Sequence, residues 1–127
     1  MLSNGEDVIA ELPLEHYVMY SNYNRVGKII RLGSSCLCCG KDAKHFLLIR
    51  DKSTPKGGRF ALYTEDYIEL TIDHIIPRFN GGKDKMSNYQ VLCLFCNRTK
   101  GSTDMSIEDL RIKVKSIVAN IVNSTTL

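Results

Sequence analysis

The sequence predicts a small α+β fold, and three observations carry that expectation. Short apolar runs of strand length fill the middle of the chain, an amphipathic helical repeat closes it, and two identically spaced cysteine pairs bracket the strands. With 127 residues and a 43% apolar fraction, the chain has the size of one domain with an ordinary core. The expected layout is a lead-in over residues 1–32, a stapled core over 33–101 and a C-terminal helix within 102–127.

The lead-in reads as helical or irregular. Pro13 interrupts any long helix, and Leu14, Tyr17 and Val18 fall at helical spacing in a short one over 14–20. Ser21 to Asn24 reads as a turn, and Tyr17, Tyr20 and Tyr23 read as packing residues, with stacking on bases the open alternative. After the first cysteine pair come strand-like runs at 46–49, 60–63 and 67–72. The first two are joined by turn formers between Asp51 and Gly58, which predicts a hairpin. The third alternates Ile68, Leu70 and Ile72 with Glu69 and Thr71, the pattern of a half-buried strand, and delivers Asp73 and His74 at its end. Pro77 stops it, and Asn80-Gly81-Gly82 opens a polar loop to Asn88. A strand over 89–92 leads to the second cysteine pair, and a short helix from about Cys96 ends by Gly101. Ser106 and Asp109 mark the start of the last helix, whose Ile107, Leu110, Val114, Ile117, Val118 and Ile121 share the face expected to pack on the core. Its Arg111, Lys113 and Lys115 read as solvated, and residues after Asn123 as frayed.

Cys36-x-x-Cys39 and Cys93-x-x-Cys96 read as a tetrahedral four-cysteine zinc site, leaving Cys38 as a bystander or as a ligand in place of a neighbour. Nothing resembles a signal peptide's basic start and apolar run, so the expected setting is cytoplasmic, where structural disulfides are disfavoured, with no membrane partner. The formal charge of +3 falls to about +1 once four thiolates hold one Zn²⁺, so net charge alone does not argue for nucleic acid.

Residues 70–101 bring together an Asp73-His74 pair ending a strand, Pro77, Gly81-Gly82, Asn88 before a short strand, and Cys93-x-x-Cys96-Asn97-x-x-Lys100. This order resembles the HNH nucleases, the ββα-metal family. The resemblance implies a ββα-metal core, with His74 as general base, Asn88 organising the loop and orienting that base, and Asp73 and Asn97 as ligands of a catalytic ion. It also implies DNA as substrate. The final motif position is Asn97 rather than the commoner His, and an all-oxygen ligand pair favours Mg²⁺ or Mn²⁺. Arg78, Lys83, Arg98 and Lys100 are the expected DNA-phosphate contacts, with Lys85 nearby and Lys52, Lys56 and Arg59 as a second basic group. His16 and His45 lack comparable partners and read as structural or surface residues. Two alternatives stay open: a non-catalytic zinc module that binds nucleic acid or protein, and a nuclease active only with a partner protein in a larger assembly.

Overall fold

The computed structural model describes residues 5–20, 24–52, 54 and 56–125. The lead-in holds more regular structure than its sequence suggests. Strand β1 (Asp7–Leu12) precedes a 3₁₀ helix (Leu14–Tyr20) and helix α1 (Asn24–Arg31). Of the expected turn at 21–24, residues 21–23 lie outside the described residues, as do the side chains of Val18, Tyr20 and Tyr23, while Asn24 already belongs to α1 and Tyr17 packs against the core.

Strands β2 (His45–Arg50) and β3 (Arg59–Tyr63) form the expected hairpin, in register Phe46↔Leu62 and Leu48↔Phe60. β1 adds to the open edge of β2, giving a three-stranded antiparallel sheet of order β1-β2-β3. Alternation sends Phe46 and Leu62 into the main core, while Leu47, Ile49, Ala61 and Tyr63 form a second cluster. That second cluster is capped by an ionic network. Arg59 donates to Asp51 Oδ2 (3.0 Å), Glu69 Oε2 (2.8 Å) and Glu6 Oε2 (3.0 Å), and the Tyr63 hydroxyl donates to Glu6 Oε1 (2.9 Å). Glu6 and Glu69 are buried, and the carboxylates around Arg59 hold its guanidinium above its ordinary pKa. Arg59 is therefore a clip between the start of β1 and the chain entering the next sheet, its guanidinium committed to three carboxylates.

A turn over 64–68 joins the sheets: Thr64 N–H donates to Ile68 O, and Tyr63 bridges Glu69. Strand β4 (Leu70–His74) starts later than the apolar pattern implies, because Tyr67 takes a positive φ in that turn. β4 pairs antiparallel with β5 (Tyr89–Cys93), matching Leu70 with Cys93 and Asp73 with Gln90. The strand is covered on both faces rather than half-buried. Val26 and Ile29 of α1 bury on the core side, and helix α2 (Leu94–Lys100) lies over the polar face, burying Thr71 and Asp73.

Helix α3 (Ile107–Thr125) begins as expected, with Asp109 N–H donating to Ser106 Oγ (3.1 Å). Only its first turns reach the core: Leu110 is fully buried and Val114 packs, but Val118 and Ile121 are exposed. Arg111 and Lys113 are exposed as expected, and each also makes a tether: Arg111 donates to Leu37 O (2.8 Å) and Cys38 O (3.1 Å), and Lys113 donates to Thr99 O (2.8 Å). These bonds fasten α3 to the first cysteine knuckle and to α2. Among the described residues no helix is long and apolar enough to cross a membrane.

Candidate metal centre and active-site cleft

The two knuckles meet. Leu37 N–H donates to Val91 O on β5 (2.9 Å), docking the first knuckle beside the second, and Gly40 N–H closes a tight turn on Cys36 O (2.8 Å). The sulfurs of Cys36, Cys39, Cys93 and Cys96 lie within 4.8 Å of one another. Zn–S bonds of roughly 2.3 Å place tetrahedral sulfurs roughly 3.8 Å apart, and Cys39 Sγ lies 3.9 Å from Cys93 Sγ. The cluster could thus hold zinc with little rearrangement. Its electrostatics agree. Hydrogen bonds from Cys93 and Cys96 hold the Cys36 thiol far below its usual pKa, while their bonding to that thiolate pushes Cys96 up and Cys93 up to about 12. Binding of a divalent cation to four cysteines would release the thiol protons as the thiolates form. Cys38 is not one of the four; it is buried, and that burial raises its pKa.

The end of β4 and the helix after the second knuckle share a cleft of about 550 Å³, lined by Asp73, His74, Arg78, Phe79, Asn97 and Arg98 among others. Alternation along β4 turns Thr71 and Asp73 toward α2. There Asn97 Nδ2 donates to Thr71 Oγ1 (2.8 Å), whose own hydroxyl donates to Leu92 O (2.6 Å). Asp73 Oδ2 accepts from Gln90 Nε2 (2.9 Å) and pairs with Lys100 Nζ (2.9 Å), and Lys100 also donates to His74 O (3.0 Å). Both carboxylate rotation and strand end are therefore fixed.

Lys100 is the clear departure from the sequence reading. Its ammonium is fully buried and committed to Asp73 and the His74 carbonyl, so it does not reach toward a DNA phosphate. Removing one member of a buried ion pair leaves the other charge desolvated. Lys100→Met should lower stability by about 3–5 kcal/mol and leave the salt dependence of DNA binding unchanged. Urea unfolding beside binding at two salt concentrations reads both; a normal midpoint with a shallower salt slope would restore the phosphate role.

His74 Nε2 lies 2.7 Å from Asp84 Oδ1, which also accepts from Arg78 Nε (2.9 Å). Hydrogen bonds from His74 and then Arg78 hold the Asp84 carboxyl below its ordinary pKa. An ionised carboxylate only accepts, so in the neutral ring Nε2 carries the proton and Nδ1 keeps the basic lone pair. The ring also meets Tyr89 edge-on at 5.1 Å. Asp84 was missed from sequence, although it is the one acid between Gly82 and Asn88, set between Lys83 and Lys85.

Asn88 holds the loop that carries these groups. Its Oδ1 accepts from Ile76 N–H (2.9 Å), and its Nδ2 donates to Ile76 O (2.9 Å) and Lys83 O (3.0 Å). Its contact with the His74 side is through the loop backbone, since Ile75 N–H donates to Asn88 O (2.8 Å). The glycine pair is equally tied to this loop. Gly81 has φ +89°, and a Cβ on Gly82 would sit 1.7 Å from Ile76 O. Arg98 is exposed at the cleft, Arg78 is exposed but shares Asp84, and Lys83 is exposed on the loop.

A strand pair, a loop closed by asparagine and a helix begun by the second knuckle thus present Asp73, His74 and Asn97 to one cleft. Residues 64–107 match the HNH endonuclease family model. The HNH match takes in β4, the loop, β5, α2 and the second knuckle; Cys36, Cys39 and the three-stranded sheet lie outside it. No curated protein and no solved structure matches the chain.

Proposed function

We propose that this protein hydrolyses phosphodiester bonds in DNA. The observation that carries the reading is the convergence of Asp73, His74 and Asn97 on one cleft with Arg78 and Arg98 at its walls. An aspartate and an asparagine offer hard oxygen donors, which suit Mg²⁺ or Mn²⁺. A hard ion held by Asp73 and Asn97 would supply charge neutralisation at the phosphate and the leaving oxygen.

The chain's own groups supply the rest. His74, its Nε2 proton held by Asp84, takes a proton from the attacking water through Nδ1. Gln90 and Lys100 keep the Asp73 carboxylate in one orientation, and the Thr71 hydroxyl receives the Asn97 amide protons so that the amide oxygen is the end turned to a cation. Asn88 keeps the loop closed behind His74. Arg78, Lys83 and Arg98 contact the DNA backbone, and the four-cysteine centre holds zinc as structure rather than as catalyst.

Plasmid nicking by purified protein with Mg²⁺ or Mn²⁺ tests the reading. His74→Ala should lower the rate by about 10²–10⁴-fold at unchanged zinc content, and EDTA should stop it. Folded, zinc-loaded protein that cuts neither duplex, branched nor single-stranded DNA would leave the non-catalytic zinc module or the partner-dependent nuclease.

A further inference from the structure

The cleft has an apolar prow. Phe79 lines it beside His74 and Arg78, yet the ring is 72% exposed, and Ile75 and Ile76 before it are 38% and 45% exposed. Three large apolar side chains within five residues are thus held in water next to a charged site. They are also held in place. Phe79 stands on a 3₁₀ turn (Arg78–Asn80) stopped by Gly81, whose N–H donates to Arg78 O (3.0 Å). Behind it Gly82 N–H donates to Pro77 O (3.0 Å), and Asn88 grips both polar groups of Ile76. A loop fixed this firmly cannot fold its phenyl ring back onto the core.

The surrounding charge names the occupant. Arg78 and Arg98 line the same cleft and are exposed, and Lys83 and Lys85 are exposed on the loop that follows, which suits a polyanion whose interior is flat and apolar. An apolar wedge amid cations is the arrangement by which proteins partly unstack base steps and kink a duplex. We infer that Phe79 inserts at a base step of the DNA next to the scissile phosphate, stacking on an exposed base. The wedge makes local deformability of the DNA, rather than base-edge hydrogen bonding, the property selected. This inference rests on the nuclease reading above.

Binding to duplexes carrying 2-aminopurine at successive positions, in Ca²⁺ to suppress cleavage, separates the two. Wild-type protein should brighten the probe at one step, and a mismatch there should tighten binding. Phe79→Ala should lose the brightening and bind on the order of tenfold more weakly, with unchanged thermal melting. Phe79→Trp should restore the affinity. Equal brightening and affinity in wild type and Phe79→Ala would overturn the wedge while leaving a DNA-binding nuclease intact. No binding and no cleavage by the folded wild type would overturn both.

Discussion

Cys93→Ser should yield a chain without a cooperative fold. Serine's alkoxide is far less accessible than a thiolate and its oxygen sits short of a sulfur's reach, so the site would fall to three ligands. Structural zinc binding is worth about 10–16 kcal/mol in small fingers, against about 5–15 kcal/mol of total stability for an ordinary domain. Here the sulfur also sits at the hinge between β5 and α2, and Arg111 ties α3 to the backbone of the knuckle facing it. Loss of zinc, loss of near-UV circular dichroism and a non-cooperative melt are expected together. Cys38→Ser, outside the four-sulfur cluster, should keep one zinc per chain. A Cys93→Ser protein that melts cooperatively and remains zinc-free would show that the cluster is not the staple.

The second large effect concerns stability far from the cleft. Arg59→Leu removes the cation shared by Glu6, Asp51 and Glu69, two of which are buried. Arg25 still pairs with Glu69 (3.2 Å), but Glu6 keeps only the Tyr63 hydroxyl among the contacts described for it. Stranding buried carboxylates costs about 3–5 kcal/mol. Urea midpoints of wild type and variant at pH 7 measure the loss; an unchanged midpoint would mean that the network does not hold the fold.

What the sequence made legible was what is encoded locally. Paired cysteines with two residues between them, an Asp-His pair at a strand end and a Ser-x-x-Asp cap each declare themselves within a few residues, and the four-cysteine cluster and the family match over 64–107 accord with that reading. Strand β1 did not declare itself. Asp7 to Glu11 are all exposed, so no buried alternation marks them, and they are a strand only because the edge of β2 receives them. Helix α1 is eight residues with Gly27 inside it, too short and too interrupted to stand out. Lys100 and Arg59 were hidden for a different reason. A lysine in the last turn of a helix and an arginine beside a glycine-rich loop ordinarily face water, and only the chain's return with Asp73 or with Glu6 and Glu69 encloses them. Asp84 likewise became meaningful only when the loop folded its carboxylate back onto His74.

The spacing of the knuckles has a kinetic consequence. Cys39 and Cys93 are 54 residues apart, and β2, β3 and β4 all lie between them. Zinc therefore cannot be captured by a local hairpin of chain, as it is when all four ligands fall within a short finger. The ends must first be brought together across a long loop, and such non-local closure comes late and slowly. Were zinc to fill the cluster, completion of its four-sulfur shell would wait until the two halves of the chain find each other.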